Sequence, residues 1–160
     1  QMSDLPRPID LLPHRPPFLL VDELTAVDPG VSATGIWRLS GDEYFFPGHF
    51  PGRPTLPGVL MCEAIAQVGA CAVLAHPDYS DKRPLFGGLD KARFRQQVVP
   101  GDELVIVKGL DHRRCRPDPQ PGADPDRGDR VEALVYLNTT IRVHFWGFPF
   151  GNLVALLTQR

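Results

Sequence analysis

The stretch from Pro57 to His76, PGVLMCEAIAQVGACAVLAH, limits what this chain can fold into more than any other part of it. Nearly every residue is apolar or small, on all sides of the helix that the segment predicts. A helix of that kind is either buried in a protein or set in a membrane. Its length approaches that of a span, but Glu63 and Gln67 interrupt it, and its flanks are prolines, polar loops and strand-like runs. The pattern predicts a core helix wrapped by a sheet. Pro57 suits the first helical position, and Thr55 is the expected cap just before it.

The rest of the chain supplies the strands. Phe18–Asp22 is a short apolar run that reads as one. Val31, Ala33, Gly35, Trp37 and Leu39 alternate with mostly polar neighbours, the pattern of a half-buried strand. Leu85–Leu89, Phe94–Val99 and Leu104–Leu110 are further strand-like runs, with turns at Asp28-Pro29-Gly30 and Pro100-Gly101-Asp102. Ahead of them, Ile9–Leu12 predicts a single helical turn that His14-Arg15-Pro16-Pro17 ends. One buried helix with several antiparallel strands is an α+β pattern.

Residues 1–112 therefore read as one folded core. Residues 113–130, RRCRPDPQPGADPDRGDR, hold almost no core-forming side chain and read as a flexible linker. Residues 131–160 form an atypical C-terminal segment. In it, Val131–Leu137 and Ile141–Phe145 are expected to pair as a hairpin, and Leu153–Leu157 is a last apolar run.

Composition excludes several functions. A net charge of −2 over 160 residues offers nothing for nucleic acid to bind. The three cysteines, Cys62, Cys71 and Cys115, have no metal-ligand spacing and are odd in number for a disulfide framework. They read as reduced thiols in a cytoplasmic protein. Residues 1–12 lack the basic and apolar regions of a signal peptide. No partnership with a membrane is expected.

The chemistry gathers in residues 41–76. The loop GDEYFFPGHFPGRPTLP surrounds His49 with Pro47, Gly48, Pro51, Gly52, Pro54 and Pro57. So many restricted φ angles suit a loop that holds a side chain still. Histidine is the usual proton carrier near neutral pH. Glu63 lies on the second turn of the apolar helix, where burial without partners would raise its pKa and suit it to act as a general acid. Gln67, four residues on, shares its face and is placed to orient it. At the helix start, the amides of Gly58, Val59 and Leu60 lack intrahelical acceptors and favour an oxygen carrying negative charge. A lone His is more simply a loop-bracing residue, and a lone Glu–Gln pair more simply a subunit contact. Base, acid and oxyanion site within one 15-residue stretch instead fit proton removal α to a carbonyl followed by loss of a β-hydroxyl.

The stretch GHFPGRPTLPGVLMCEAIAQ resembles the active-site signature of the 3-hydroxyacyl-acyl-carrier-protein dehydratases of the FabZ type. LLPHRPPFLLVDE at 11–23 and GGLDKARFRQQVVPGDEL at 87–104 resemble flanking blocks of the same family, in the same order. The resemblance implies a hot-dog fold, a long central helix wrapped by an antiparallel sheet. It implies a homodimer or a trimer of dimers, with the site between subunits. His49 would remove the α-proton and Glu63, directly or through a held water, would help the hydroxyl leave. The Gly58 amide would polarise the thioester carbonyl. Phe50, Pro57, Val59 and Gln67 would complete the substrate site, and Leu20 and Phe86 would line an acyl tunnel. Glu rather than Asp at position 63 favours this type over the related dehydratase-isomerases. No metal or organic cofactor is implied. The partner would be acyl carrier protein, met by Arg93 and Arg95, although a solvated strand face explains those arginines equally well. His14 reads as structural, and Cys62 and Cys71 as core residues. Two other readings compete: a hot-dog thioesterase, and a non-catalytic acyl-binding or assembly subunit.

The resemblance stops near residue 110. Without the family's final strands, the sheet would keep an open edge, and Trp146, Phe148 and Phe150 would form an exposed apolar cluster. A reading-frame change in the encoding DNA would account for the switch in character, and alternative frames of that DNA test the idea.

Overall fold

The computed structural model describes residues 5–89, 92, 94, 96–110, 134–137, 140–143 and 153–159. The element order is α1 (Pro8–Leu11), β1 (Glu23–Asp28), β2 (Ser32–Arg38), α2 (Gly58–Leu74), a 3-10 turn (Pro77–Tyr79), β3 (Leu85–Leu89), β4 (Glu103–Gly109), β5 (Leu134–Leu137), β6 (Thr140–Val143) and β7 (Leu153–Gln159). The main sheet runs β1-β2-β4-β7-β6, and β3 pairs with β5 in a separate two-stranded sheet.

Helix α2 is the expected core helix. Twelve of its 17 residues are buried, among them Ile65, Val68 and Cys71, which are fully inaccessible. It ends where Ala75 N–H donates to Cys71 O and His76 turns extended before Pro77, because the residue ahead of a proline avoids the helical region. The inward faces of two strands cover the helix. Ala33, Gly35 and Trp37 alternate along β2, and Leu104, Ile106 and Lys108 along β4. The two strands are antiparallel and in register from Ser32↔Gly109 to Arg38↔Glu103.

Glycine sets how closely helix and sheet approach. A Cβ on Gly35 would stand 2.8 Å from Val68 Cγ2 and 2.9 Å from Val21 Cγ1, with both valines buried. On the other strand, the stem of buried Lys108 fills the space beside Gly69, where a Cβ would lie 3.0 Å from Lys108 Cγ.

Several expectations need correction. Phe18–Asp22 is not a strand. The Gln67 side chain takes the Phe18 carbonyl and the Leu20 amide, the groups a ladder would need, and Pro16 and Pro17 contribute no N–H. Phe94–Val99 is not a strand in its described part. Val98 O accepts from Leu56 N, and Val99 N donates to the Asp102 carboxylate. Pro57 is the N-cap rather than the first helical residue, and Thr55 does not cap α2: its hydroxyl points to Arg53 O, 3.4 Å away.

The described parts of the expected C-terminal hairpin pair elsewhere. β5 lies parallel to β3, and β6 lies parallel to β7. β7 in turn pairs antiparallel with β4, from Glu103↔Gln159 to Ile106↔Leu156. The edge of β4 is therefore covered over Glu103–Ile106 by residues Leu156–Gln159 of β7. An unpaired row of backbone groups on a sheet edge is satisfied by an extended segment that pairs with it. The expected linker at 113–130 and the aromatic residues Trp146, Phe148 and Phe150 lie outside the described residues. Among the described residues, no helix is long and apolar enough to cross a membrane.

Candidate active site

The loop before α2 is anchored at both ends by buried side chains, Phe46 and Leu56. Between them the backbone is cross-braced. His49 N donates to Phe45 O, Phe50 and Arg53 exchange a pair of hydrogen bonds, and Thr55 N donates to His49 O at 2.8 Å. The His49 ring closes the same bridge, with Nδ1 2.7 Å from Thr55 O. A carbonyl only accepts, so Nδ1 carries the proton, and in the neutral ring Nε2 keeps its lone pair. The loop thus fixes both the orientation of the imidazole and its tautomer. Phe50 stacks on the ring at 4.2 Å between centroids and is itself exposed.

The start of α2 follows directly. Leu60 N donates to Pro57 O at 3.0 Å, so its amide is occupied, contrary to the sequence reading. Gly58 and Val59 keep free amides among the described residues. A Cβ on Gly58 would stand 2.8 Å from the ring of Phe94, so only glycine lets that ring lie against the helix start. Phe94 is a site neighbour that its sequence position in a strand-like run did not reveal. The side chain of Val59 is 74% exposed, so only its amide is placed for a role at the helix end.

Glu63 faces a second region. It lines a cavity of about 250 Å³ together with His14, Phe18, Ala66, Gln67, Ala70, Pro84, Leu85 and Phe86. Its carboxylate is not partnerless, as the sequence suggested. Gln67 Nε2 donates to Oε1 at 2.9 Å, and His14 Nε2 stands 3.6 Å from the same oxygen. Gln67 is 1% exposed and fully used: its carbonyl accepts from Leu20 N, and its amide also donates to Phe18 O. Of the expected tunnel residues, Phe86 lines this cavity, whereas Leu20 is buried beside Gln67 and does not.

His49 does not line the Glu63 cavity. The structure brings His49 together with Thr55 and Phe50, and Glu63 together with Gln67 and His14. Arg93 and Arg95 lie outside the described residues. Cys62 and Cys71 are unpaired core residues, and burial pushes both thiols up, Cys71 to about 12, so neither is a nucleophile near neutral pH. Among the described residues, no group of three or more His, Cys, Asp or Glu side chains could hold a metal ion.

Fold and site together describe a helix-and-sheet domain with a braced histidine, a carboxylate in an apolar cleft and no metal cluster among the described residues. The chain belongs to the family of the FabA-like domain, whose model matches residues 12–117. More narrowly, it is 52% identical over 113 residues to the 3-hydroxyacyl-[acyl-carrier-protein] dehydratase FabZ of Pelotomaculum thermopropionicum, covering 71% of this chain and 81% of that one. The protein of the same name from Desulforamulus reducens is 54% identical over 105 residues, 66% of this chain and 74% of that one. That of Moorella thermoacetica is 56% identical over 105 residues, 62% of this chain and 73% of that one. The family match ends close to where the sequence changes character.

Proposed function

We propose that this protein converts (3R)-3-hydroxyacyl-[acyl-carrier-protein] into trans-2-enoyl-[acyl-carrier-protein] and water, as a cytoplasmic hydro-lyase of fatty acid biosynthesis. Its similarity to three dehydratases of that name, above half identity over the part that holds the site, supports the reaction. His49 Nε2 takes the α-proton. The Gly58 and Val59 amides hold the negative charge that develops on the thioester oxygen. Glu63 gives its proton to the β-hydroxyl, which leaves as water, and the C–H electron pair becomes the new double bond. The proton on His49 and the vacancy on Glu63 are then reset by exchange with water. No cofactor enters this scheme.

The observation that carries the reading is that the cavity lined by Glu63 is not lined by His49 of the same chain. We read the site as shared, with His49 of one subunit facing Glu63 of another in a homodimer or a trimer of dimers. Exposed Phe50, stacked on His49, supplies apolar surface for that contact. Arg93 and Arg95 are read as contacts for the acidic carrier protein.

The test is ultraviolet absorbance of the enoyl thioester after adding 3-hydroxyacyl carrier protein to the full-length chain. Its appearance is expected. Release of free thiol instead would identify a thioesterase, and binding of carrier protein without turnover would identify a non-catalytic subunit.

A further inference from the structure

We infer that His14 is a positioning residue for Glu63, the second donor of a two-point clamp on one carboxylate oxygen. This rests on the reading of Glu63 as the acid. Two nitrogen donors converge on Oε1: Gln67 Nε2 at 2.9 Å and His14 Nε2 at 3.6 Å. Oε2 has no partner among the described residues. The clamp thus makes the two oxygens unequal, with Oε1 held and Oε2 left to carry the proton that reaches the substrate hydroxyl.

One tautomer of the neutral His14 ring is favoured. Its Nδ1 is buried and has no hydrogen-bond partner. A proton there would be a buried donor without an acceptor, which is unfavourable. The neutral ring with its proton on Nε2 avoids this, and that proton faces Glu63. At 3.6 Å the contact is longer than a hydrogen bond. Catalytic contacts are often long in the ligand-free state and tighten when substrate binds.

Independent contacts aim the ring. Phe18 stacks on it at 6.2 Å between centroids, and the Arg15 guanidinium ties Leu12 O and His14 O together. Gln67 holds the backbone of Phe18 and Leu20 on the far side. One buried side chain therefore positions Glu63 directly and also fixes the segment that carries the second donor.

The experiment replaces His14 with Gln, Asn and Phe in the full-length chain and measures kcat and KM with a 3-hydroxyacyl carrier protein. The amide nitrogen of Gln reaches about where Nε2 stood, that of Asn about where Nδ1 stood, and Phe keeps only the ring. The clamp predicts His14→Gln within about threefold of wild-type kcat. It predicts about a tenfold or greater loss of kcat in His14→Asn and His14→Phe, with KM within about twofold in all three. Equal kcat in the three variants, or losses confined to KM, would overturn it. Should His14→Phe fail to fold by circular dichroism, the Gln and Asn pair decides in the same way. Glu63→Gln is measured alongside. If that variant is fully active, the acid assignment itself fails; if it is inactive while His14→Asn is not impaired, only the clamp fails.

Discussion

Gln67 donates to the Glu63 carboxylate one helical turn away, at 2.9 Å, while the same side chain binds the backbone of Phe18 and Leu20. A buried amide with three hydrogen bonds couples the geometry of a reactive carboxylate to the fold of a segment 47 residues earlier in the chain. Substituting Gln67 by Ala leaves the Leu20 amide and the Phe18 carbonyl without partners. The expected cost is about 2–4 kcal/mol of stability, read from the urea midpoint at unchanged slope. Activity per folded molecule should fall as well, since Glu63 loses its shortest contact.

If the site is shared between subunits, two inactive variants should rescue each other. His49→Ala and Glu63→Ala are each expected to lose activity by at least about 10²-fold. Mixed and refolded together, they form dimers in which one site carries both substitutions and the other carries neither. Random mixing should restore roughly a quarter of wild-type activity in a two-fold assembly. A mixture as inactive as its components would place both groups in one chain's site.

Gly58 gives a different signature. Its Cβ position meets the far edge of the Phe94 ring, a side chain that is 46% exposed and has room to move. Gly58→Ala should therefore change stability by less than about 1 kcal/mol. The displaced ring and the added methyl should nonetheless crowd the amide at the helix start and lower kcat by about 10-fold or more. Thermal melting and steady-state rates on one sample separate the two effects.

Cys71 predicts a pH response at the alkaline end. Its folded pKa is raised by burial from about 9.0 to about 12. The stabilising contribution is fully present below pH ~9 and is lost as pH rises toward ~12, because the unfolded chain releases the proton first. Wild-type stability should fall across that window more steeply than that of Cys71→Ala, measured by urea denaturation at several pH values. For the same reason, alkylation of Cys71 near pH 8 should be slow until the protein is unfolded.

The sequence by itself determined the central helix, the inward-facing row of β2, the strand at β4, the braced loop and the shared face of Glu63 and Gln67. Each is set by a local rule: all-round apolarity, alternation, the restricted φ of proline, and the four-residue spacing of a helix. The approach of His14 to Glu63, the ring of Phe94 against Gly58, the failure of Phe18–Asp22 to become a strand and the pairing of β7 with β4 were decided only by tertiary structure. Those features depend on which backbone and side-chain groups far apart in the chain satisfy one another once the helix is buried. Gln67 shows why: nothing in its neighbours says that its amide will claim the groups a strand at 18–22 would have used.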